Sequence, residues 1–447
     1  MVLIRNYRPH EADSAVDAHD GTIVQWAPGG LWFWYGMSYT NCSTSGGSLS
    51  GWLNRIISPF EEFVGNLLSP RDHIGTQCGM IGTPGAFGST CGTLTVSSGQ
   101  TVKVFVSPDL SSWSEVGDAF DLPSSSRLSD AILFRPVVIY NRATARYVLW
   151  VNVVPPGFSV LDGLLKTGYR VGEATRPEGP FTLTEHEPAL ARHAGGDFSL
   201  LEHGGRAWIA ANAFEDDHSI SVQPLDSSFT DVAGAAAVVS IKDQESVGLF
   251  ESNGKFYMVH GNLCCFCPEG SNVLLSVAES PMGPYTRLRE LNPRSADRLP
   301  LIPAQSNGVF KARLADGSNQ LVWTGDMWES ARSGRKGRDV QVWLPLHVED
   351  DAPLRFVRSW QLGALTTWNS SSAPKPPSRT ALEFAALVHG GGSPFPQPHH
   401  HWGPHLEIFA TFMLVLISMP FICVAMLTWW LATRRRPIGA QSKSDLV

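Results

Sequence analysis

Three acidic residues stand at the same kind of place in this chain, each directly before a short, mainly apolar segment. They are Asp20, Asp197 and Glu245. Alone, each is also typical of a strand start, where a carboxylate accepts backbone hydrogen bonds. Brought together, they could divide the work of acid and base: one protonated carboxyl as proton donor, one carboxylate that activates water, and a third that raises the donor's pKa by like-charge repulsion. Inverting hydrolysis of a glycosidic bond needs such a pair, separated by about 6.5–9.5 Å.

A recurring hairpin supplies the elements that must position these residues. An aromatic-rich strand, a turn of small or polar residues and a second aromatic strand return five times; the turns lie at Gly29-Gly30, Ala145-Arg146, Gly204-Gly205, Asn253-Gly254 and Asp316-Gly317. A repeat of roughly 50 to 60 residues that carries several short strands is typical of a β-propeller. The innermost strands of a propeller meet at a central channel. We therefore expect the three acidic residues, on blades one, three and four, to lie together there.

The predicted fold is all-β, a five-bladed β-propeller over residues 17–369 that follows an N-terminal segment, residues 1–16. Blade one is interrupted by a long insert, residues 41–100, in which the apolar residues between Trp52 and Leu67 keep helical spacing around Pro59. We expect the insert to be partly helical. The later blades, predicted as four-stranded, occupy residues 134–183, 196–232, 245–288 and 305–357.

The motifs around the acidic residues resemble those of glycoside hydrolase family 43, five-bladed propellers that act by inversion. Residues 19–23, His-Asp-Gly-Thr-Ile, resemble the family's blade-one motif, whose Asp is the general base. The resemblance makes Asp20 the general base, Asp197 the pKa modulator and Glu245 the general acid. No cofactor and no metal are expected.

Several phrases are similar to the galactan 1,3-β-galactosidase branch of that family, among them residues 34–36, 135–141 and 342–346. In that branch a Gln on blade five can replace the base, and Gln305 matches it as an alternative base or substrate contact. The branch also has a substrate-contacting Glu before its blade-two Arg-Pro, where this chain has Phe134.

Beyond the propeller, residues 370–405 are rich in Pro, Ser, Gly and His, which is typical of a semi-extended stalk. Residues 406–433 are predicted to form a single transmembrane helix, because Ile408–Leu431 carries no charged residue and is long enough to cross a hydrocarbon core of about 30 Å. Three arginines open the short basic tail, residues 434–447. The positive-inside rule places this tail in the cytosol and the propeller outside the cell or in a lumen.

An alternative topology stays open. Residues 1–20 carry no apolar run of the kind found in a signal peptide, and a tail anchor would leave the propeller in the cytosol. Two glycosylation sequons, at Asn41 and Asn369, favour the luminal side. So do six cysteines, which are expected to form disulfides or buried thiols: Cys42, Cys78, Cys91, Cys264, Cys265 and Cys267. The closely spaced last three lack a second Cys/His pair with zinc-like spacing, so a metal site is not expected.

The net charge of −7 includes no broad basic excess and excludes nucleic acid as the expected partner. The expected partners are a polysaccharide or oligosaccharide and, through the C-terminal helix, a lipid bilayer. The sequence thus predicts a membrane-anchored inverting glycoside hydrolase that acts on galactan- or arabinogalactan-like polymers or on arabinan or xylan side chains. The alternative is a propeller that binds glycan without cleaving it.

Overall fold

The computed structural model describes residues 2–39, 101–120, 131–154, 167–191, 195–213, 218–239, 243–262, 269–296, 299–314, 316–349 and 352–362. All of them belong to one compact unit, Met1–Pro376. The predicted insert, the stalk, the membrane tract and all seven cysteines lie outside the described residues. Within the described ranges no helix is long and apolar enough to cross a membrane.

Five antiparallel sheets form the blades, and each sheet is a meander of strands consecutive in the chain. Blade one contains β2 (His19–Gln25), β3 (Trp32–Ser38), β4 (Thr101–Ser107) and β5 (Ser114–Asp118). Blade two contains β6 (Ile132–Asn141), β7 (Arg146–Val154), β8 (Gly168–Ala174) and β9 (Thr182–Leu183). Blade three contains β10 (Phe198–His203), β11 (Arg206–Ala213), β12 (Ser219–Pro224) and β13 (Ala237–Val238). Blade four contains β14 (Gln244–Ser252), β15 (Lys255–Asn262), β16 (Leu274–Ala278) and β17 (Thr286–Glu290). Blade five contains β18 (Gln305–Arg313), β19 (Asn319–Met327) and β20 (Val340–Leu346).

The innermost strands close a ring. β2 contacts β6, β6 contacts β10, β10 contacts β14, β14 contacts β18, and β18 contacts β2. Each ring strand is the first strand of its blade, so the residues at its start share one end of the channel. The five-bladed all-β architecture predicted from the hairpin repeat is therefore confirmed.

Most of the core of the described residues is divided into five apolar clusters, one between each pair of neighbouring blades. The aromatic residues of the repeated hairpins supply much of it: Trp32, Trp150 and Trp323 are fully buried. A large ring on the second strand of a blade covers apolar area on the next blade as well as on its own. The aromatic richness of the hairpins is thus explained by packing between blades.

The N- and C-terminal parts of the described chain close the propeller together. β1 (Val2–Arg5) pairs antiparallel with β21 (Ser359–Leu362) in a separate two-stranded sheet. This sheet borders β20: the Asn6 side chain donates to the Trp343 carbonyl at 3.0 Å and accepts from the Trp343 N–H at 3.2 Å. The prediction of four strands in blade five was wrong for the described residues. Its sheet has three strands, and side-chain hydrogen bonds join it to the terminal pair.

Candidate active site

β-Bulges set the direction of the side chains at one end of the channel. In the first hairpins of blades one, two, four and five, the inner strand has one extra residue near its start that is not matched on the partner strand. In three of these bulges a non-glycine residue has positive φ: Asp20 at 51°, Arg135 at 47° and Ser246 at 59°. Left-handed backbone is costly for such residues and is often retained where it aims a functional group.

Gly21 completes the bulge of blade one. Its φ is +80°, and a Cβ built there would lie 1.9 Å from the Tyr35 carbonyl oxygen. A proline could not adopt that φ, because its ring fixes φ near −65°. The glycine is therefore required by the local backbone that carries Asp20.

The guanidinium of Arg135 lies at the centre of the site and binds all four other blades. Its Nε lies 2.9 Å from Asp20 Oδ2 on blade one and 3.1 Å from Asp197 Oδ1, just before blade three. Its two terminal nitrogens donate to the Val247 carbonyl of blade four at 3.2 Å and to the Ser306 carbonyl of blade five at 3.0 Å. The Arg135 side chain is only 4% exposed, so these contacts form away from bulk water.

Asp20 is buried beside this guanidinium. Its Oδ1 accepts a hydrogen bond from the Gly21 N–H at 2.8 Å. Burial raises the pKa of Asp20 to about 7; the Arg135 charge opposes the shift, and the nearby Asp197 and Asp326 carboxylates add to it. A carboxyl with a pKa near neutrality can change its protonation state under ordinary conditions, which suits a group that must accept a proton during a reaction.

Asp326 at the end of β19 supports Asp20 from behind. It is fully buried, and its Oδ2 accepts from the Asp20 backbone N–H at 2.9 Å and from Asn307 Nδ2 at 3.0 Å. His19 Nδ1 lies 3.4 Å from Asp326 Oδ1. Burial alone would lower the pKa of His19, but the carboxylates around it, above all Asp326, raise it. A positively charged His19 would in turn offset the buried charge of Asp326.

Glu245 and Gln305 form the other side of the site. Glu245 is 6% exposed at the start of blade four. Gln305 opens blade five, and its Nε2 lies 3.5 Å from Glu245 Oε1. The Gln305 Oε1 accepts a hydrogen bond from the Trp328 indole N–H at 2.7 Å. This bond fixes the orientation of the amide, with its NH₂ group turned towards Glu245.

The structure thus gathers the predicted residues at one end of the channel, with one correction to their positions. Asp197 accepts from the Ser246 N–H at 2.9 Å and shares the Arg135 Nε–H with Asp20. The sequence suggested that Asp20 and Glu245 occupy matching places on their blades, but in the structure they do not. In the ladders His19, Phe134 and Glu245 are the last paired residues before the bulge, and Asp20 is one residue further on. The prediction rested on the position of each acidic residue before an apolar segment, and this pattern does not reveal a β-bulge.

Sequence reasoning missed Arg135, Asp326 and Asn307 as members of the site. One signal for Arg135 was present: a charged residue followed by Pro136 inside the long apolar strand β6. Arginine is almost never fully buried unless it is paired, so its place in such a strand indicates buried carboxylate partners. Asp326, next to the aromatic end of β19, carries the same kind of signal.

The geometry can support proton transfer between carboxyl groups held in different surroundings. Beyond Asp20, Arg135 and Asn307, a cavity of about 110 Å³ continues along the channel between the inner strands, enough space for water. Among the described residues no group of three or more His, Cys, Asp and Glu is arranged to hold a metal ion.

Comparisons with known proteins agree with this architecture. The model of the family "Glycosyl hydrolases family 43" matches residues 89–308, which include Arg135, Asp197, Glu245 and Gln305 but not Asp20. No curated protein sequence matches the chain.

Among solved structures, the exo-β-1,3-galactanase of Phanerochaete chrysosporium with β-1,3-galactotriose is similar, with a TM-score of 0.57 at 17% identity over 83% of this chain and 70% of that one. The exo-β-1,3-galactanase of Clostridium thermocellum has a TM-score of 0.56 at 18% identity over 80% of this chain and 66% of that one. A putative exo-β-1,3-galactanase of Bifidobacterium bifidum has a TM-score of 0.54 at 17% identity over 78% of this chain and 97% of that one. At these identities the likeness establishes a shared fold.

The substitution Arg135→Lys is expected to destabilise the protein. An ammonium group cannot reproduce the planar fork that binds oxygens from four blades, and the carboxylates of buried Asp20 and half-buried Asp197 lose their shared partner. We expect the free energy of unfolding to fall by about 3 kcal/mol, the scale of a disrupted buried ion pair. Urea unfolding measures it. Arg313→Lys on the exposed face of β18 is the matched control; equal stability of the two variants would contradict the central role of Arg135.

Proposed function

We propose that this chain is a member of glycosyl hydrolase family 43, whose model matches residues 89–308, and that it hydrolyses glycosidic bonds of a polysaccharide by inverting acid–base catalysis. The observation that carries the proposal is the convergence of acidic groups on Arg135. Asp20 and Asp197 bind the guanidinium directly, and Glu245 stands beside Gln305 at the same end of the channel. The charge of Glu245 also acts on Arg135.

In this proposal Glu245 is the general acid, and its proton goes to the leaving glycosidic oxygen. Asp20 is the general base, which takes a proton from the water that attacks the anomeric carbon from the opposite face. Asp197 is the pKa modulator: it holds negative charge near the acid, and like-charge repulsion keeps the acid protonated. The Asp20 carboxyl is buried beside the Arg135 guanidinium, whereas the Glu245 carboxyl stands beside the Gln305 amide. These different surroundings support the division of roles.

The position of Gln305 supports Asp20 rather than Gln305 as the base. In an inverting mechanism the acid and the base are about 6.5–9.5 Å apart, because the attacking water and the sugar ring lie between them. The Gln305 amide is 3.5 Å from the Glu245 carboxyl, too near to leave that space. We assign Gln305 to holding the acid and contacting the substrate.

We propose a galactan- or arabinogalactan-like polymer as the substrate, with arabinan and xylan side chains as the other candidates. The named galactanases of similar fold and the galactosidase-like phrases in the sequence favour galactan. One observation favours a second function, the binding of glycan without cleavage: Phe134 stands where the galactosidase branch has a substrate-contacting Glu. The activity experiment below separates the two.

Glu245→Gln and Asp20→Asn are each expected to lower kcat on aryl glycosides or galactan at least about hundredfold, because each removes a proton-transfer group. The matched controls are Glu279→Gln and Asp316→Asn, both exposed. NMR of the first product formed from a β-galactoside is expected to show the α-anomer. Full-length protein that turns over no β-galactoside, α-arabinofuranoside or β-xyloside, yet binds glycan equally well with Glu245→Gln, would instead establish the binding function.

The pH dependence of kcat/KM is expected to report Asp20. A base must be ionised, so activity rises with pH through the Asp20 pKa of about 7 and falls away below it. Asp326 is one of the carboxylates that raise this pKa, so Asp326→Asn should move the acidic limb to lower pH. Asp316→Asn, at the opposite end of the β18–β19 hairpin, should leave it in place. A limb that does not respond to Asp326→Asn would exclude Asp20 as the group observed.

We also propose that residues 408–431 anchor the chain in a membrane, with the propeller outside the cell or in a lumen and the tail in the cytosol. The uncharged tract and the three arginines after it support this arrangement. Full-length protein in sealed vesicles is expected to resist alkaline extraction and to lose its tail, but not its propeller, to protease added on the cytosolic side. Digestion of the propeller from that side would favour the tail-anchored alternative.

A further inference from the structure

A small aromatic group is connected to the proposed acid through Gln305. It consists of Tyr39, Phe134 and Trp328, and we call it the aromatic wall; Met37 packs against it. Tyr39 is 2% exposed and Trp328 is 4% exposed, whereas Phe134 is partly exposed. Phe134 is therefore the member of the wall that presents surface.

Two observations place this surface at the site. Phe134 and Glu245 hold the same ladder position on blades two and four, each the last paired residue before the bulge, so both stand at the same end of the channel. The second is a chain of contacts: the Trp328 indole N–H binds Gln305 Oε1 at 2.7 Å, and Gln305 Nε2 lies 3.5 Å from Glu245. The wall and the acid are thus joined through one amide.

The wall is held from behind. The Lys336 ammonium lies 4.6 Å from the centre of the Tyr39 ring and 4.8 Å from that of Trp328, a cation–π arrangement on two rings. The His19 ring lies 5.4 Å from the Tyr39 ring and 5.3 Å from the Trp328 ring. Lys336 is itself 4% exposed. These contacts fix the rings that support Phe134.

We propose that Phe134, supported by this wall, determines substrate specificity by selecting a sugar that turns an apolar C–H face, a methyl group or a deoxy position towards it. The inference rests on the proposed function and names the substrate class within it. An aromatic ring at the same end of the channel as the acid attracts C–H groups of a sugar and offers no hydrogen-bond acceptor of useful strength. A hydroxyl pressed against the ring loses its water and gains no partner, which disfavours sugars that carry one at that position.

The test compares the unaltered protein with the variant Phe134→Gln, which is polar but adds no charge beside Arg135. The probes are aryl β-galactoside, α-arabinofuranoside and β-xyloside and the monodeoxy analogues of whichever is processed or bound best. For each deoxy analogue, kcat/KM is divided by kcat/KM for the parent sugar. At one deoxy position we expect this ratio to be about tenfold higher for the unaltered protein than for Phe134→Gln. Comparing ratios between two proteins cancels the intrinsic reactivity of each glycoside.

The same ratios of affinity, measured by calorimetry in the Glu245→Gln background, test the inference without turnover. Phe134→Leu is expected to weaken binding but to keep the preference, and Phe356→Gln, a partly exposed phenylalanine elsewhere, is the matched control. Ratios that stay equal in the chain and in Phe134→Gln at every deoxy position overturn the inference, as does failure to bind any of these glycosides. Failure of the proposed function is distinct, since it appears as absent turnover with binding retained.

Discussion

The guanidinium of Arg135 is the constraint on which the site depends. It contacts an oxygen atom from each of the other four blades, two of them carboxylate and two backbone carbonyl. Without it, the carboxylates of buried Asp20 and half-buried Asp197 would face each other with no guanidinium between them, and the pKa of Asp20 would rise further. With it, the effect of burial on the pKa of Asp20 is partly offset, and oxygens from four blades are tied to one group at the candidate site. The stability of the propeller and the proposed chemistry therefore depend on the same side chain.

This arrangement explains why the backbone departs from regular β-structure here and not elsewhere in the inner strands. A straight strand alternates its side chains between the two neighbouring blades, so none would point along the channel axis. A bulge with a left-handed residue turns one side chain out of that alternation, and Asp20 and Arg135 are the residues so turned. Because the two bulges lie on adjacent blades, the ion pair between them offsets part of the strain that each stores.

The sequence predicted the fold well because a propeller repeats its signals. Five hairpins with aromatic second strands indicate five blades, and the buried tryptophans are where that pattern requires them. Asp197, Glu245 and Gln305 were located from strand starts and from family motifs. The register was not predictable: a bulge shifts the ladder by one residue and leaves no regular pattern, which is why Asp20 and Glu245 were placed at equivalent positions. The sequence also did not predict that blade five has only three strands in the described residues. Its outer border is formed instead by two strands from the two ends of the described chain.

Two of the residues missed by sequence reasoning, Arg135 and Asp326, carry a charged side chain that is buried and whose partners come from distant parts of the chain. Arg135, Asp326 and Asp20 come from three blades, and each is intelligible only from its partners. Blade one illustrates the point. The family match begins at residue 89, after Asp20, yet Asp20 is joined through its side chain to Arg135, which lies within the matched range, and through its backbone to Asp326, which lies beyond it. Gly21 adopts the positive φ that keeps Asp20 in this position. The place of Asp20 in the site therefore follows from its contacts with Arg135 and Asp326.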